Sequence, residues 1–120
     1  MKHDCGEFIL TLLHAVTNTH ILHLRSKSYA EHMALGAFYE ALPALVDVVA
    51  ESIQGLEEEL IEYPMGYSPP SDSAIDELRA LYWYVSEERK ELPQDSEIQN
   101  SIDAIADLID STIYKLKFLK

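Results

Sequence analysis

The chain has one cysteine, one tryptophan and four glycines among its 120 residues, and 9 basic side chains against 21 acidic ones. Each scarcity excludes something. A lone cysteine, Cys5, cannot form an internal disulfide or a paired-cysteine zinc site, and it suits a reducing compartment. No Gly-rich phosphate loop, internal repeat, low-complexity tract or Ser-His-Asp order is present. The formal charge of -12 opposes binding to nucleic-acid phosphates and attracts cations. Long hydrophobic runs are missing too: no uninterrupted stretch reaches the roughly 20 apolar residues that span a bilayer. The run FILTLLHAV follows Asp4 and Glu7 and is broken by His14, so it is not read as a signal peptide. The expectation is a cytoplasmic protein, residues 1–120 forming a single domain that buries its own core.

What is present is helical periodicity. A first helix is expected over residues 5–24, entered through Asp4 and Glu7 in a capping-box arrangement, with Phe8, Ile9, Leu12, Leu13, Val16 and Leu24 forming a broad apolar stripe. A short basic turn follows. Ser28 and Glu31 then repeat the S-x-x-E start signal for a second helix from Tyr29 to Gln54, stopped at Gly55 and bent at Pro43. Its inward face is Phe38, Leu42, Leu45, Val46, Val49 and Ile53. Residues 56–71, LEEELIEYPMGYSPPS, read as a connection holding one short helix. A third helix, capped by Ser73 with Asp76, runs to Leu92 before Pro93 and turns Ile75, Leu78, Leu81, Tyr82 and Val85 inward. Tyr82, Trp83 and Tyr84 place aromatics all round it, so at least one faces outward, as a subunit contact would. The fourth helix follows Asp95 and Ser96, with a seam of Ile98, Ile102, Ile105, Ile109, Ile113 and Leu116.

These four helices make an all-α four-helix bundle. The connection between the second and third is the informative piece: a helix of about 26 residues is roughly 39 Å long, and some 16 extended residues reach about 53 Å. The segment can therefore travel the whole bundle, as the long crossover of ferritin-like folds does.

Chemistry concentrates in residues 19–55, THILHLRSKSYAEHMALGAFYEALPALVDVVAESIQG. Asp47 and Glu51, one helical turn apart, project from one face and could grip a cation together. His32 begins the same helix, about 22 Å from Asp47, so the two cannot meet on one metal within a chain. His20 precedes the turn by about as much as His32 follows it, which is expected to set the two histidines side by side. A shared site would therefore join the histidines of one subunit to the carboxylates of another, and a two-fold dimer would hold two such sites.

The order His20, eleven residues, His32, fourteen residues, Asp47, three residues, Glu51 resembles the ferroxidase signature of Dps proteins, the mini-ferritins of the ferritin superfamily. The resemblance implies His20 and His32 as metal ligands from one subunit with Asp47 and Glu51 from its partner, iron as the metal, oxidation of Fe(II) by peroxide or dioxygen, iron storage, and a dodecameric homo-oligomer. Zinc could occupy the same ligands. Ile21 stands where the family often has Trp, Ser52 where it often has Arg, and the Lys-rich amino-terminal arm that holds DNA is missing; small relatives of this kind are encoded in phage genomes, which would place the protein in a host cytoplasm. Two other classes draw on other features: a non-enzymatic helical oligomer that binds a protein or small ligand, with the metal site incomplete, on the aromatics of the third helix and the small size, and an all-α nucleotide pyrophosphohydrolase using Glu59 with Glu62 and Asp107 with Asp110 on Mg²⁺. The absence of Glu-x-x-His, which di-iron bundles place in their cores, favours an interfacial site.

Overall fold

A computed structural model describes the backbone of residues 2–120 and the side chains from Asp4 onward. Four helices, α1 (Lys2–Arg25), α2 (Tyr29–Glu57), α3 (Ala74–Glu88) and α4 (Ser96–Phe118), pack as a bundle of 45 × 28 × 21 Å, and a 3-10 turn at Arg89–Glu91 ends α3. The described residues contain no strand.

Two of the start signals operate as written. Ser28 caps α2 by accepting from the Glu31 amide, and Ser73 caps α3 by accepting from the Asp76 amide. The first helix differs, because it is already formed at Lys2 and Asp4 lies inside it. Gly55 is not a stop either. The second helix continues to Glu57, and Glu58 ends it in the left-handed conformation with its amide on the Gln54 carbonyl. It also runs unbroken through Pro43, whose missing N–H removes one rung of the ladder, and α1 and α4 packed along it hold it in place.

The path of the chain follows from cross-helix bonds. Arg25, at the far end of α1, donates to the Ser71 carbonyl just ahead of α3. Thr11, near the start of α1, donates to the Tyr84 hydroxyl near the end of α3. Thus α3 descends while α1 ascends, and the order is up, down, down, up, with every neighbouring pair antiparallel. Residues 58–73 cover the whole length between α2 and α3, as the reach argument requires. They do so without the expected short helix, pinned to α1 near Gly6, at Asn18 and at Arg25.

Phe8, Leu12, Leu35, Phe38, Leu42, Leu78, Ile98, Ile102 and Ile105 are fully buried, each contributing roughly 1.5–3 kcal/mol of transfer free energy. On α4 the fully buried line continues through Thr112, where steps of four and three from Ile98 arrive, and Ile113 and Leu116 pack against the core half-buried; the Thr112 hydroxyl is satisfied by the Leu108 carbonyl. Of the broad apolar stripe of α1, Leu13 and Leu24 lie outside, at 39% and 70% exposure, while Asn18 and Thr19 are buried. The crossover explains the burial of Asn18: it covers that side of α1, and Asn18 serves it with hydrogen bonds, while the Thr19 hydroxyl is satisfied within α1 by the Ala15 carbonyl.

By length and mean hydropathy, 1.5 over its most apolar 18 residues, α2 is long and apolar enough to cross a membrane. Counting uninterrupted apolar residues had not indicated this. Only 33% of that stretch is buried, on the core face just described. Apolar residues also point outward, as Met33, Ala37, Ala41, Ala44 and Val48.

Candidate functional site

The four ligand-type residues sit on the α1–α2 hairpin. Asp47 and Glu51 are exposed on the outer face of α2. Their spacing of four sets both carboxylates on one side, next to Val48 and Ala44. His20 is exposed and lies flat on Tyr39, with ring centroids 4.1 Å apart at 13°. His32 is half-buried at the opposite end of α2 from the carboxylates.

His20 does not lie beside His32. The residue across the hairpin from His32 is His23, because α1 runs on to Arg25 and α2 starts at Tyr29, which puts 23 and 32 two and three residues inside their helices. Their rings stack at 3.6 Å and 17°. Each also donates from Nδ1 to the other's backbone carbonyl: His23 to the His32 oxygen at 2.6 Å, His32 to the His23 oxygen at 2.9 Å. A carbonyl only accepts, so both Nδ1 atoms carry hydrogen, and in each neutral ring the lone pair lies on Nε2. Metal-ligating histidines commonly have this arrangement, with one ring nitrogen fixed by a carbonyl and the other left to coordinate.

Gly36 makes the clasp possible. A Cβ there would come within 3.1 Å of the His23 ring. His23 in turn meets the edge of Tyr39, with centroids 5.2 Å apart, and His20 at 6.1 Å, so that His32, His23, Tyr39 and His20 form a continuous run of rings along one end of the hairpin. The reading of the sequence missed His23, Tyr39 and Gly36. The signal was available in the numbers, since residues paired across a hairpin have a nearly constant sum and 23 and 32 fit a turn at 26–28.

Among the described residues, no three or more His, Cys, Asp or Glu side chains of one chain are grouped so as to hold a metal ion. The pairs proposed for Mg²⁺ are separated as well. Glu59 and Glu62 are on the non-helical crossover, so the helical spacing that would have aligned them does not arise, and Asp107 and Asp110 are exposed on α4. Asp103, on the same outer side of α4, is bound by Arg89 at 2.6 Å and closes the α3–α4 corner.

Burial raises the pKa of the Cys5 thiol, with Glu57 and Asp4 adding to the rise against the opposing N-terminal charge. A thiol so placed is a packed core side chain and a poor nucleophile. Trp83, 65% exposed, is the outward member of the aromatic triplet; Tyr82 and Tyr84 are half-buried.

The chain belongs to a family of unknown function, DUF5856, whose profile matches residues 23–116 and so includes His23, His32, Asp47 and Glu51 but begins after His20. No curated protein and no solved structure matches the chain.

Proposed function

We propose that the protein is a mini-ferritin of the Dps kind, a homo-oligomer that binds Fe(II) between two subunits, oxidises it with peroxide or dioxygen and retains the ferric product. The observation that carries this reading is where the ligand-type residues lie: the histidines at the turn end of the α1–α2 hairpin, the exposed carboxylates about 22 Å along the same helix. One chain cannot close such a site. A second hairpin, related by a two-fold axis, would bring its carboxylates to the first hairpin's histidines and complete two sites at once.

Three further features support the reading. The up-down-down-up path with a full-length crossover is the ferritin-like connection. The clasp leaves His32 Nε2 as a lone-pair donor, and imidazole with carboxylate suits ferrous iron as well as zinc, which would bind without redox turnover. The apolar outer face of α2 beside Asp47 and Glu51 gives a partner chain something to cover.

The chemistry asks little of the protein. Each Fe(II) gives up one electron, and peroxide takes two electrons and two protons from solvent to become two waters. The residues hold and orient iron, and the charge of -12 draws the cation inward. The same charge argues against strong DNA binding. The dodecamer rests on resemblance alone, as does a phage source; the cytoplasmic location rests on the lone cysteine.

Anaerobic ferrous titration of the purified protein, followed by peroxide, tests the reading. Wild type should bind and oxidise about two irons per two-fold interface, and His32→Ala and Asp47→Ala should each abolish this. Absence of iron binding in wild type would leave only the fold in common with mini-ferritins. A second reading, a ligand-binding helical oligomer without redox chemistry, draws on a cavity away from these residues.

A further inference from the structure

Between α1, α3 and the middle of the crossover lies a half-open cavity of about 720 Å³, a size typical of small-molecule sites. It opens on the side of α1 that carries Glu7, Thr11, His14 and Asn18. By helical periodicity His20 points the opposite way, so the iron chemistry proposed above makes no use of this space.

The cavity is built, and its roof is fastened. Tyr67 donates its hydroxyl to Asn18 Oδ1, the Asn18 amide donates to the Ser68 carbonyl at 3.1 Å, and His14 meets the Tyr67 ring edge-on at 5.0 Å. At the upper end Glu77 accepts from the Ser71 amide at 2.9 Å, and at the lower end Thr11 holds the Tyr84 hydroxyl. A pocket whose walls are already ordered saves a ligand much of the ordering cost of binding.

Its charge is one-sided. Among the described residues two carboxylates, Glu7 and Glu77, line it, and no lysine or arginine does. They stand at opposite ends: α3 runs antiparallel to α1 with Tyr84 level with Thr11, so Glu77 is level with Asn18, and the two acids are about 16 Å apart along the bundle axis. The wall between them is aliphatic and aromatic, chiefly Leu10, Leu81, Tyr67 and Tyr84.

We propose that this cavity binds a linear aliphatic polyamine, its methylene chain lying along the apolar wall and its terminal ammonium groups meeting Glu7 at one end and Glu77 at the other. Separated acids select a long cation with charge at both ends over a compact one, and the tyrosine faces favour cationic over anionic ligands.

Isothermal titration calorimetry with spermine, putrescine and Mg²⁺ tests this on the intact protein. Spermine should bind once per chain and more tightly than putrescine, which is too short to reach both acids. Glu7→Gln and Glu77→Gln should each weaken spermine by about tenfold or more, and Ala80→Trp, which fills the mouth from an exposed position on α3, should do the same. Asp107→Asn, which removes one acid from the distant face of α4, should leave the affinity unchanged. The proposal is overturned if spermine shows no saturable binding, if Mg²⁺ competes with it at equal concentration, if Asp107→Asn weakens it as much as Glu77→Gln, or if Ala80→Trp has no effect while circular dichroism shows each variant folded.

Discussion

A mixing experiment separates a site shared between subunits from one within a chain. Take a chain lacking the histidines, His20→Ala/His32→Ala, and another lacking the carboxylates, Asp47→Ala/Glu51→Ala. All four positions are exposed or half-buried, so neither pair should cost the fold more than roughly 1 kcal/mol. Each homodimer has no complete site. In a mixed dimer, one interface site unites two damaged halves and the other unites two intact halves, so one of its two sites works. Equal co-expression with random pairing makes half the dimers mixed, and about one quarter of the wild-type sites should return. Stopped-flow absorbance of ferric product after peroxide, normalised to protein, reads this directly. Recovery near one quarter agrees with the roughly 22 Å separation of His32 and Asp47 along α2. Zero recovery in mixed dimers confirmed by mass spectrometry would refute the reasoning, because carboxylates and histidines would then have to act in the same chain.

Other expectations follow from individual contacts. His23→Ala removes the ring stacked on His32 and the bond from His23 Nδ1 to the His32 carbonyl but keeps the backbone carbonyl to which His32 Nδ1 donates, so ferrous affinity should fall by up to about tenfold while α1 and α2 stay folded; unchanged affinity in the same titration would show that the stacked ring does not orient the ligand. Glycine positions offer a matched pair. Gly55→Ala opens onto free space in a helix and should add about 1 kcal/mol, some 4 °C in melting temperature for a chain of this length. Gly6→Ala earns the same helical preference but drives a methyl into the Glu62 carbonyl of the crossover, a clash of roughly 1–3 kcal/mol, so thermal melting should show no gain or a loss of up to about 2 kcal/mol. Equal stabilisation of both variants would mean that the crossover is not seated on α1. Burial holds the Tyr84 phenol above its ordinary value of 10.0, against the smaller opposing effect of the Thr11 bond. The native state therefore keeps a proton that the unfolded chain releases, and stability should fall as pH rises past about 10. In urea melts, Tyr84→Phe should start about 1 kcal/mol lower for its lost hydrogen bond and show a flatter alkaline decline; an identical decline would assign the effect to other groups.

The sequence by itself determined what is local and periodic. Ser28 and Ser73 cap helices because their hydroxyls reach an amide three residues on, and Ile98, Ile102, Ile105 and Ile109 face inward because a helix repeats every 3.6 residues. The length of the crossover constrained its path, since residues 58–73 are enough chain to reach the far end. Asp47 and Glu51 were legible as a pair for the same reason, being neighbours on one turn. What only the tertiary structure decided depends on where separate elements meet. Asn18, a polar residue, is buried because the crossover, not a helix, covers that side of α1 and takes its hydrogen bonds. His23 took the place expected for His20 because the hairpin turn falls one to two residues later than the even spacing of His20 and His32 suggested, which shifts the residue paired with His32 by one helical turn along α1. The cavity between α1 and α3 has no sequence signature at all, since Glu7 and Glu77 are 70 residues apart in the chain and share a space only because antiparallel packing and a pinned loop enclose it.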